Sequence, residues 1–331
     1  MFVVQSLPAA ICFCILTMLG WGSWANTQKL AGKEKWPFEL FYWDYAIGVF
    51  LFGLVFSHTF GMFGDAGMST SANMHSIDFG NAVPALISGA IFNLSNILLV
   101  VGIDAAGMSV AFPVGVGLAL VIGTVESYLG DPKGNPVLLF GGVALIVLAM
   151  IFSAAAHRRL PQGGGRNPRR GLICSVLAGC IMGFFYPQLM RSISPNFNSS
   201  AITPGMLTPY VALMFFGAGV LVSNVVWNSV FMRAGGVTYS AYFKGSARLH
   251  AIGILGGCIW MVALSFNVLA SGVAGPAISY ALGQGATLVA ALWGLLVWHE
   301  FREARPGTGK FIALMLAGYA GGLVLIGAAS Q

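Results

Sequence analysis

Charge is what this sequence has least of: only 8% of its 331 residues are Asp, Glu, Lys or Arg, whereas about a quarter are charged in an ordinary soluble domain. Hydrophobic residues make up 57% of the chain, glycine contributes 45 residues, and the mean hydropathy is +0.82. A soluble fold of this size needs a charged surface that so few charges cannot supply. The composition therefore predicts an integral membrane protein, a class in which glycine is common within helices.

Patterns for catalysis, metal binding and nucleic-acid binding are also missing. The five cysteines lie inside apolar runs without metal-ligand spacing, and the five histidines are scattered through loops and helix ends. No nucleophile has an evident base partner, and no strand precedes the Gly-x-Gly triplets as a phosphate-binding loop would require. The excess of positive charge is confined to certain loops, which favours membrane topology over nucleic-acid binding. We therefore predict no enzyme activity, no cofactor, no metal and no nucleic-acid partner.

Long apolar segments dominate the chain instead. A membrane-spanning helix needs about 20 mostly apolar residues. Ten segments meet this need: 5–27, 38–60, 79–101, 105–129, 136–156, 171–191, 205–232, 249–270, 273–299 and 309–329. They are numbered here as spans 1 to 10, and they predict an all-α membrane protein with ten transmembrane helices.

The positive residues predict the orientation of these spans. Of the 16 Lys and Arg residues, all but Lys133 and Arg191 follow odd-numbered spans. By the positive-inside rule the odd loops are cytoplasmic and both termini lie outside. The densest basic cluster is the linker 157–170, in which three glycines and two prolines stop any helix. We therefore divide the chain into a first five-helix repeat, 1–156, the cytoplasmic linker 157–170, and a second five-helix repeat, 171–331.

A weak internal similarity supports two repeats. Eight residues recur at a constant offset of 168, and Phe92 is matched by Trp260. The eight are Gly89, Ile91, Val100, Gly107, Gly115, Gly117, Leu120 and Val121, matched by Gly257, Ile259, Val268, Gly275, Gly283, Gly285, Leu288 and Val289. Because five is odd, the second copy must insert upside down. This predicts a 5+5 inverted repeat, a common transporter plan with the substrate site near the midplane.

Two carboxylates in the spans are candidates for ion coupling. Asp44 lies several residues inside span 2, where an ionisable side chain is costly and marks a functional site by default. A carboxylate that exchanges a proton is what proton coupling requires. The alternative is a structural pair with Lys29 or a bond to a neighbouring tyrosine. Glu126, late in span 4, is the second candidate, with an interfacial carboxylate as its alternative.

Neutral polar and aromatic residues in the spans predict a substrate pocket. Indole rings can stack on a planar ligand or a sugar face while amides bond its edge. Trp24 and Asn26 could instead form an aromatic belt, and Asn93 and Asn96 could join helices. Span 7 also carries Asn224 beside two of the candidates. Our substrate-binding candidates are Trp24, Asn26, Asn93, Asn96, Trp227, Asn228, Tyr280 and Gln284. Such a pocket suits a neutral polar solute more than an ion.

Short motifs in spans 4 and 5 carry a family resemblance. Gly107-Met108-Ser109, followed by Val121-Ile122-Gly123-Thr124, resembles the drug/metabolite transporter superfamily. Within it the chain is similar to the plant ureide permeases; besides the Val-Ile-Gly-Thr segment, the matching residues are Tyr128, Asp131, Asn135, Gly142-Val143 and His157. The Gly-Met-Ser start is also similar to the L-rhamnose–proton symporter, and the overall plan to bacterial glucose/ribose porters. Outside spans 4 and 5 the likeness is mainly topological.

The resemblance implies an uptake carrier with a central cavity lined by spans 1–4 and 6–9, and with spans 5 and 10 peripheral. It implies substrates of two classes: sugars, and allantoin- or uracil-like oxo-heterocycles. The plant permeases have longer central loops, sometimes with a nucleotide-binding-like motif. This chain has only the short linker, so no ATP role is carried over.

Together these observations predict a secondary active transporter that imports a small neutral polar solute by alternating access. Its partners would be that solute, a proton (or sodium) and the lipid bilayer of a bacterial inner membrane or a plasma membrane. An exporter of amphipathic metabolites or drugs is the alternative, and would need a wider, more apolar cavity. A membrane enzyme would need a convergent catalytic set, and a receptor subunit a sizeable signalling loop; the sequence offers neither.

Overall fold

The computed structural model describes residues 1–64, 66–106, 108–160, 167–199 and 202–330. Its helices are α1 Leu7–Ser23, α2 Ala25–Lys33, α3 Phe38–His58, α4 Thr70–Ser76, α5 Phe79–Ala106, α6 Met108–Gly130, α7 Pro136–His157, α8 Pro168–Met182, α9 Phe185–Met190, α10 Pro209–Gly235, α11 Tyr239–Phe243, α12 Ala247–Ala274, α13 Pro276–Gly283, α14 Ala286–Leu292, a π-helical turn Trp293–Val297, and α15 Thr308–Ala328. Within these ranges the only extended pairings are two isolated bridges. The all-α prediction is confirmed.

Nine helical segments in the described part of the chain are long and apolar enough to cross a membrane. They are Leu7–Lys33, Phe38–His58, Phe79–Gly102, Pro136–His157, Arg169–Met190, Pro209–Gly235, Ala247–Ala274, Pro276–Val297 and Thr308–Ala328. These correspond to every predicted span except span 4. In the place of span 4 lies α6, Met108–Gly130, whose apolar stretch within the described residues is Val114–Gly130.

Local capping explains why several helix ends fall where the sequence predicts. Asn135 accepts hydrogen bonds from the amides of Val137 and Leu138 and so begins α7, because a side-chain oxygen satisfies amides that have no partner within the helix. Gly236 ends α10 with a φ of 70°, a left-handed conformation that glycine adopts without strain. The Gly283-Gln284-Gly285 triplet interrupts span 9: α13 ends at its first residue, Gly283, and α14 begins directly after it, at Ala286.

The chain forms two compact units. Unit 1 comprises residues 1–93 and 188–273, and unit 2 comprises residues 94–187 and 274–331. Each unit therefore takes segments from both sides of the basic linker 157–170. Residues 161–166 of that linker lie outside the described residues.

A close glycine contact in unit 1 joins α5 to α10. A Cβ on Gly89 would lie 2.2 Å from the carbonyl oxygen of Phe216 and 2.8 Å from the amide nitrogen of Val220. A Cβ on Gly219 would lie 2.1 Å from the carbonyl oxygen of Leu86. Only glycine permits this approach of two helix backbones. Asn93, one turn after Gly89, donates to the carbonyl of Val220, one turn after Phe216, so the two helices run in the same direction.

A second contact of the same kind joins α12 to α3. A Cβ on Gly257 would lie 2.0 Å from the carbonyl oxygen of Tyr45 and 2.8 Å from the amide nitrogen of Val49. A Cβ on Gly48 would lie 2.2 Å from the carbonyl oxygen of Ile254. Gly253, one turn earlier on α12, lies against Asp44, so the residue numbers rise on both helices from the Gly253–Asp44 contact to the Gly257–Val49 contact. Helices α3 and α12 therefore also run in the same direction.

Helix α3 also packs on α10 in unit 1, in the opposite direction. Gly217 lies against Phe50, where a Cβ would be 3.0 Å from the Cα of Phe50. Further along α10, Asn228 donates to the carbonyl oxygen of Glu39 near the start of α3. Residue numbers therefore rise on one helix as they fall on the other.

Aromatic rings fill the centre of unit 1. Trp260 of α12 stacks on Phe92 with ring centroids 4.0 Å apart, and on Trp21 and Phe216 at 5.8 Å. Stacked rings of this kind contribute beyond the apolar area that they bury. They join four helices, α1, α5, α10 and α12, into one core.

Unit 2 contains a reciprocal glycine contact between α7 and α15. A Cβ on Gly142 would lie 2.6 Å from the carbonyl oxygen of Gly322, and a Cβ on Gly322 would lie 2.8 Å from the carbonyl oxygen of Gly142. These helices are antiparallel, because the amide of Asn135, before α7, bonds the carbonyl of Ala329, after α15.

Helices α6 and α8 of unit 2 are parallel. A Cβ on Gly179 would lie 2.4 Å from the carbonyl oxygen of Gly115. Further along both helices, a Cβ on Gly183 would meet the side chain of Ile122. The contacting residue numbers thus rise together on the two helices.

Candidate functional site: a buried carboxylate–imidazole pair

Asp44, the first coupling candidate, lies in α3 with a side chain only 1% exposed. Tyr242 Oη donates to Asp44 Oδ1 over 2.6 Å. His250 Nδ1 lies 2.9 Å from both carboxylate oxygens. The carboxylate is therefore held by a hydroxyl and an imidazole from distant parts of the chain. The structural alternative for Asp44 expected a bond to a neighbouring tyrosine, but the tyrosine that binds it, Tyr242, is distant in sequence.

Three elements bring these groups together. Gly253 allows α12 to approach α3, since a Cβ there would lie 2.4 Å from the Cβ of Asp44. His250 lies one turn before Gly253 on α12. Tyr242 comes from the short helix α11, whose N-cap Thr238 accepts a hydrogen bond from the amide of Ala241. The α10–α12 connection thus folds back over the first turns of α3.

Aromatic rings enclose the imidazole. The Trp36 ring meets His250 edge-on with centroids 5.7 Å apart, and the Tyr242 ring does so at 4.8 Å. Gly245 leaves room here, because a Cβ on it would lie 2.7 Å from His250 Nε2. The His250 side chain is 25% exposed, whereas the Asp44 side chain is only 1% exposed. His250 is therefore the titratable group that reaches outward from the buried carboxylate.

The electrostatics favour a carboxylate that exchanges a proton with the imidazole. A charge removed from water is costly unless it is paired and hydrogen-bonded, and protonated His250 would neutralise Asp44 at 2.9 Å. Burial raises the pKa of Tyr242, and its bond to Asp44 and the negative charge there raise it further. Tyr242 therefore remains a hydrogen-bond donor to the Asp44 carboxylate.

Sequence reasoning missed His250, Tyr242 and Trp36. A signal for His250 did exist. Asp44 and His250 lie near the beginnings of spans 2 and 8, and even-numbered spans start on the same side of a membrane. A buried carboxylate needs a partner at its own depth, and His250 satisfies that condition.

The substrate candidates Trp24 and Asn26 lie in unit 1 where α1 meets α2. The half-buried Trp24 ring lies 4.9 Å from that of Tyr45, centroid to centroid. Asn26 donates to the carbonyl oxygen of Ser23, within its own turn. The Trp24 ring therefore packs beside another aromatic ring, while the Nδ2 of Asn26 makes a local backbone bond.

Three further candidates in unit 1 lie on α5 and α10. Asn93 donates to Val220 O over 3.3 Å and to Ser223 Oγ over 3.0 Å. Asn228 donates to Glu39 O over 2.8 Å. The buried amide oxygens of Asn93 and Asn228 have no hydrogen-bond partner among the described residues, and neither does Trp227 Nε1. Joining helices and binding a ligand are thus both open to these amides.

The remaining candidates lie in unit 2. Tyr280 of α13 is fully buried, donates to the carbonyl oxygen of Ala119, and stacks on Tyr186 at 5.0 Å. Asn96 and Gln284 are buried, and Glu126 on α6 is half-buried. No group of three or more His, Cys, Asp or Glu side chains in the described ranges is arranged to hold a metal ion.

Comparison with known proteins identifies relatives. The family model for ureide permeases matches residues 41–162. Ureide permease 1 of Arabidopsis thaliana is 20% identical, covering 96% of this chain and 95% of that protein. The probable glucose uptake protein GlcU of Staphylococcus aureus is 24% identical, covering 71% of this chain and 74% of that protein.

A solved crystal structure shares the fold. It superposes with a TM-score of 0.64 at 16% identity, covering 97% of this chain and 98% of its own. The resemblance predicted from spans 4 and 5 is therefore confirmed: the chain is similar to the ureide permeases and to the glucose uptake proteins.

Proposed function

We propose that the protein is a secondary active transporter that imports a small neutral polar solute, a sugar or a ureide- or nucleobase-type heterocycle, together with a proton. The observation that carries the coupling is the Asp44–His250 pair, a buried carboxylate and imidazole in membrane-competent helices. The relatives, named as permeases and as a glucose uptake protein, favour a transporter over an enzyme, and import over the export of amphipathic compounds.

Helix directions support ten membrane crossings, with α6 as the fourth. Helices α5 and α10, which correspond to spans 3 and 7, run in the same direction. An odd number of crossings must then lie between them along the chain. Helix α7 and the segment Arg169–Met190 account for two, so α6 is expected to be the third. By the positive-inside rule both termini lie outside and the linker 157–170 lies in the cytoplasm.

The two glycine contacts of unit 1 support the inverted repeat. A shift of 168 residues carries Leu86 and Gly89 of α5 onto Ile254 and Gly257 of α12, and a shift of 171 carries Phe216, Gly219 and Val220 of α10 onto Tyr45, Gly48 and Val49 of α3. In both helix pairs a glycine lies against the same kinds of backbone atom on its partner helix, a carbonyl oxygen and the amide nitrogen four residues later. Such equivalence is expected if residues 1–156 and 171–331 are two copies of one five-helix unit that alternate in exposing a central site.

The proton would enter through the exposed part of the His250 ring and be held between its Nδ1 and the Asp44 oxygens. Binding a proton changes the charge of the pair in a poorly solvated place. The conformations of a carrier that differ in water access to the pair therefore differ in proton affinity. The solute would be bound by Trp24, Asn26, Asn93, Asn96, Trp227, Asn228, Tyr280 and Gln284. Glu126 is the second coupling candidate.

Counterflow in proteoliposomes tests the transport function without assuming a coupling ion. Vesicles preloaded with unlabelled glucose, L-rhamnose, allantoin or uracil are diluted into the labelled solute. We expect transient accumulation for one of the two classes. Absence of exchange for all four solutes, in protein shown to be folded by thermal unfolding, would contradict the proposed solute class.

A further inference from the structure

Asn224 is a fully buried amide in α10 with an unusual feature: neither Oδ1 nor Nδ2 has a hydrogen-bond partner among the described residues. Its neighbours on the same helix face differ. Asn228, one turn later, uses its Nδ2 on Glu39, and Asn93 across the contact uses its Nδ2 on α10. Asn224 alone of these three has its whole amide unsatisfied.

The surroundings of Asn224 enclose it within unit 1. On one side along α10, Gly217 lies against Phe50 of α3, and on the other side Asn228 bonds Glu39 of α3. Asn224 is thus level with the part of α3 between Glu39 and Phe50, which contains Tyr45. Tyr45 is fully buried too, and its Oη also lacks a partner in the described part of the chain.

A buried polar group without a hydrogen bond destabilises the fold, and a leucine of similar volume would not. Such a group is stabilised when a ligand supplies the missing partners. The amide of Asn224 can accept through Oδ1 and donate through Nδ2 at the same time. A ligand that satisfies both must present a donor and an acceptor side by side, as a cyclic amide edge or adjacent hydroxyl groups do.

We propose that Asn224 binds the transported solute through both atoms of its amide, and so restricts transport to neutral solutes with adjacent donor and acceptor groups. This rests on the proposed function, and adds to it the residue that selects the solute. The Tyr45 hydroxyl, at the same level of the unit, supplies a further polar group, and the Trp24 ring beside Tyr45 supplies a stacking surface.

The test is Asn224→Leu, with two readouts: the KM for uptake of the solute found by counterflow, and the melting temperature with and without that solute. We expect KM to rise at least about tenfold and the ligand-induced rise in melting temperature to be lost. We also expect the melting temperature without solute to rise by a few degrees, about 2–4 °C, because an unsatisfied amide is removed.

Asn73 provides a matched control. It is equally buried in the same unit, but its Nδ2 donates to Met206 O and its Oδ1 accepts from the amide of Thr208. Asn73→Leu should lower the melting temperature and leave KM unchanged. The opposite signs of the two shifts in melting temperature distinguish an amide that binds a ligand from an amide that stabilises the fold.

An unchanged KM for Asn224→Leu would overturn the assignment of Asn224. If Asn224→Leu does not fold, Asn224→Gln decides in the same way, since its longer amide reaches a different position: a raised KM supports the assignment and an unchanged KM overturns it. Failure of wild-type protein to exchange any of the four solutes contradicts the proposed solute class, on which the role of Asn224 rests, whereas wild-type exchange with an unchanged variant KM contradicts only the role of Asn224.

Discussion

Asp44 in unit 1 and Tyr280 in unit 2 are both almost completely buried polar side chains in membrane-competent helices, yet their surroundings differ in kind. Asp44 accepts a hydrogen bond from Tyr242 and lies against His250. Its site therefore contains two groups that can carry charge, the carboxylate of Asp44 and the imidazole of His250. Tyr280 donates to a backbone carbonyl and stacks on Tyr186, in a neutral environment. The difference teaches that the partners of a buried polar residue separate a candidate for proton binding, such as Asp44, from a residue that joins helices through a neutral hydrogen bond, such as Tyr280.

The largest effect that would sharpen this comparison is expected for Asp44→Asn. Asparagine can still bond Tyr242 and His250 but cannot release a proton, so accumulation driven by a pH gradient should fall at least about 100-fold. Counterflow, which needs no net proton movement, should persist. Glu126→Gln is the matched control, since it removes the second carboxylate considered. Normal accumulation by Asp44→Asn together with its loss in Glu126→Gln would move the coupling role to Glu126.

A second comparison is between the close helix contacts of the two units. Gly89→Ala and Gly257→Ala should destabilise the protein by similar amounts, about 3 kcal/mol, because each Cβ would meet a backbone oxygen near 2 Å. Gly142→Ala in unit 2, with its nearest atom at 2.6 Å, should cost less. Thermal unfolding in detergent provides the measurement.

Gly32→Ala is the control for these glycines, because nothing lies within 4 Å of the added Cβ. It should leave the melting temperature unchanged or slightly raised. Clearly unequal effects of Gly89→Ala and Gly257→Ala would argue against two equivalent halves.

His250→Gln should reduce pH-driven uptake by roughly tenfold, a smaller loss than Asp44→Asn causes. Glutamine can still bond the carboxylate, but its amide cannot take up and release a proton as an imidazole can. Initial rates across a range of external pH, compared with wild type, measure this. A pH profile identical to that of wild type would remove His250 from the proton path.

Tyr280→Phe should have the smallest effect, a loss of about 1 kcal/mol in the free energy of unfolding, because one hydrogen bond to Ala119 O is removed. The ring and its stacking on Tyr186 remain, so KM should change less than about twofold. A large rise in KM would show that the hydroxyl, not only the ring, contacts the solute, and that the two buried sites are more alike than their partners indicate.

The sequence was sufficient to predict nine of the ten spans and to select Asp44 as a candidate, but not to predict the partners of Asp44. Apolar runs of about 20 residues, ended by prolines, glycines and Asn135, predict the spans because such runs have few alternatives in a bilayer. Asp44 was found because a carboxylate in such a run is costly. His250 and Tyr242 reach it from about 200 positions away, and no local pattern predicts that pairing.

The asparagines show the same limit on a smaller scale. Asn224 and Asn228 are one turn apart in α10 and read alike as sequence. Only the structure shows that Asn228 bonds Glu39 on α3 while Asn224 bonds nothing among the described residues. The register between two helices decides whether an amide bonds the neighbouring helix or has no partner there. Glycine contacts such as Gly217 against Phe50 set that register.

The most direct test of proton coupling is to follow internal pH with a trapped dye while solute is added to proteoliposomes that have no initial gradient. Wild-type protein should acidify the lumen as the solute enters, and Asp44→Asn should not. Solute entry into wild-type vesicles without any change in internal pH would contradict the account.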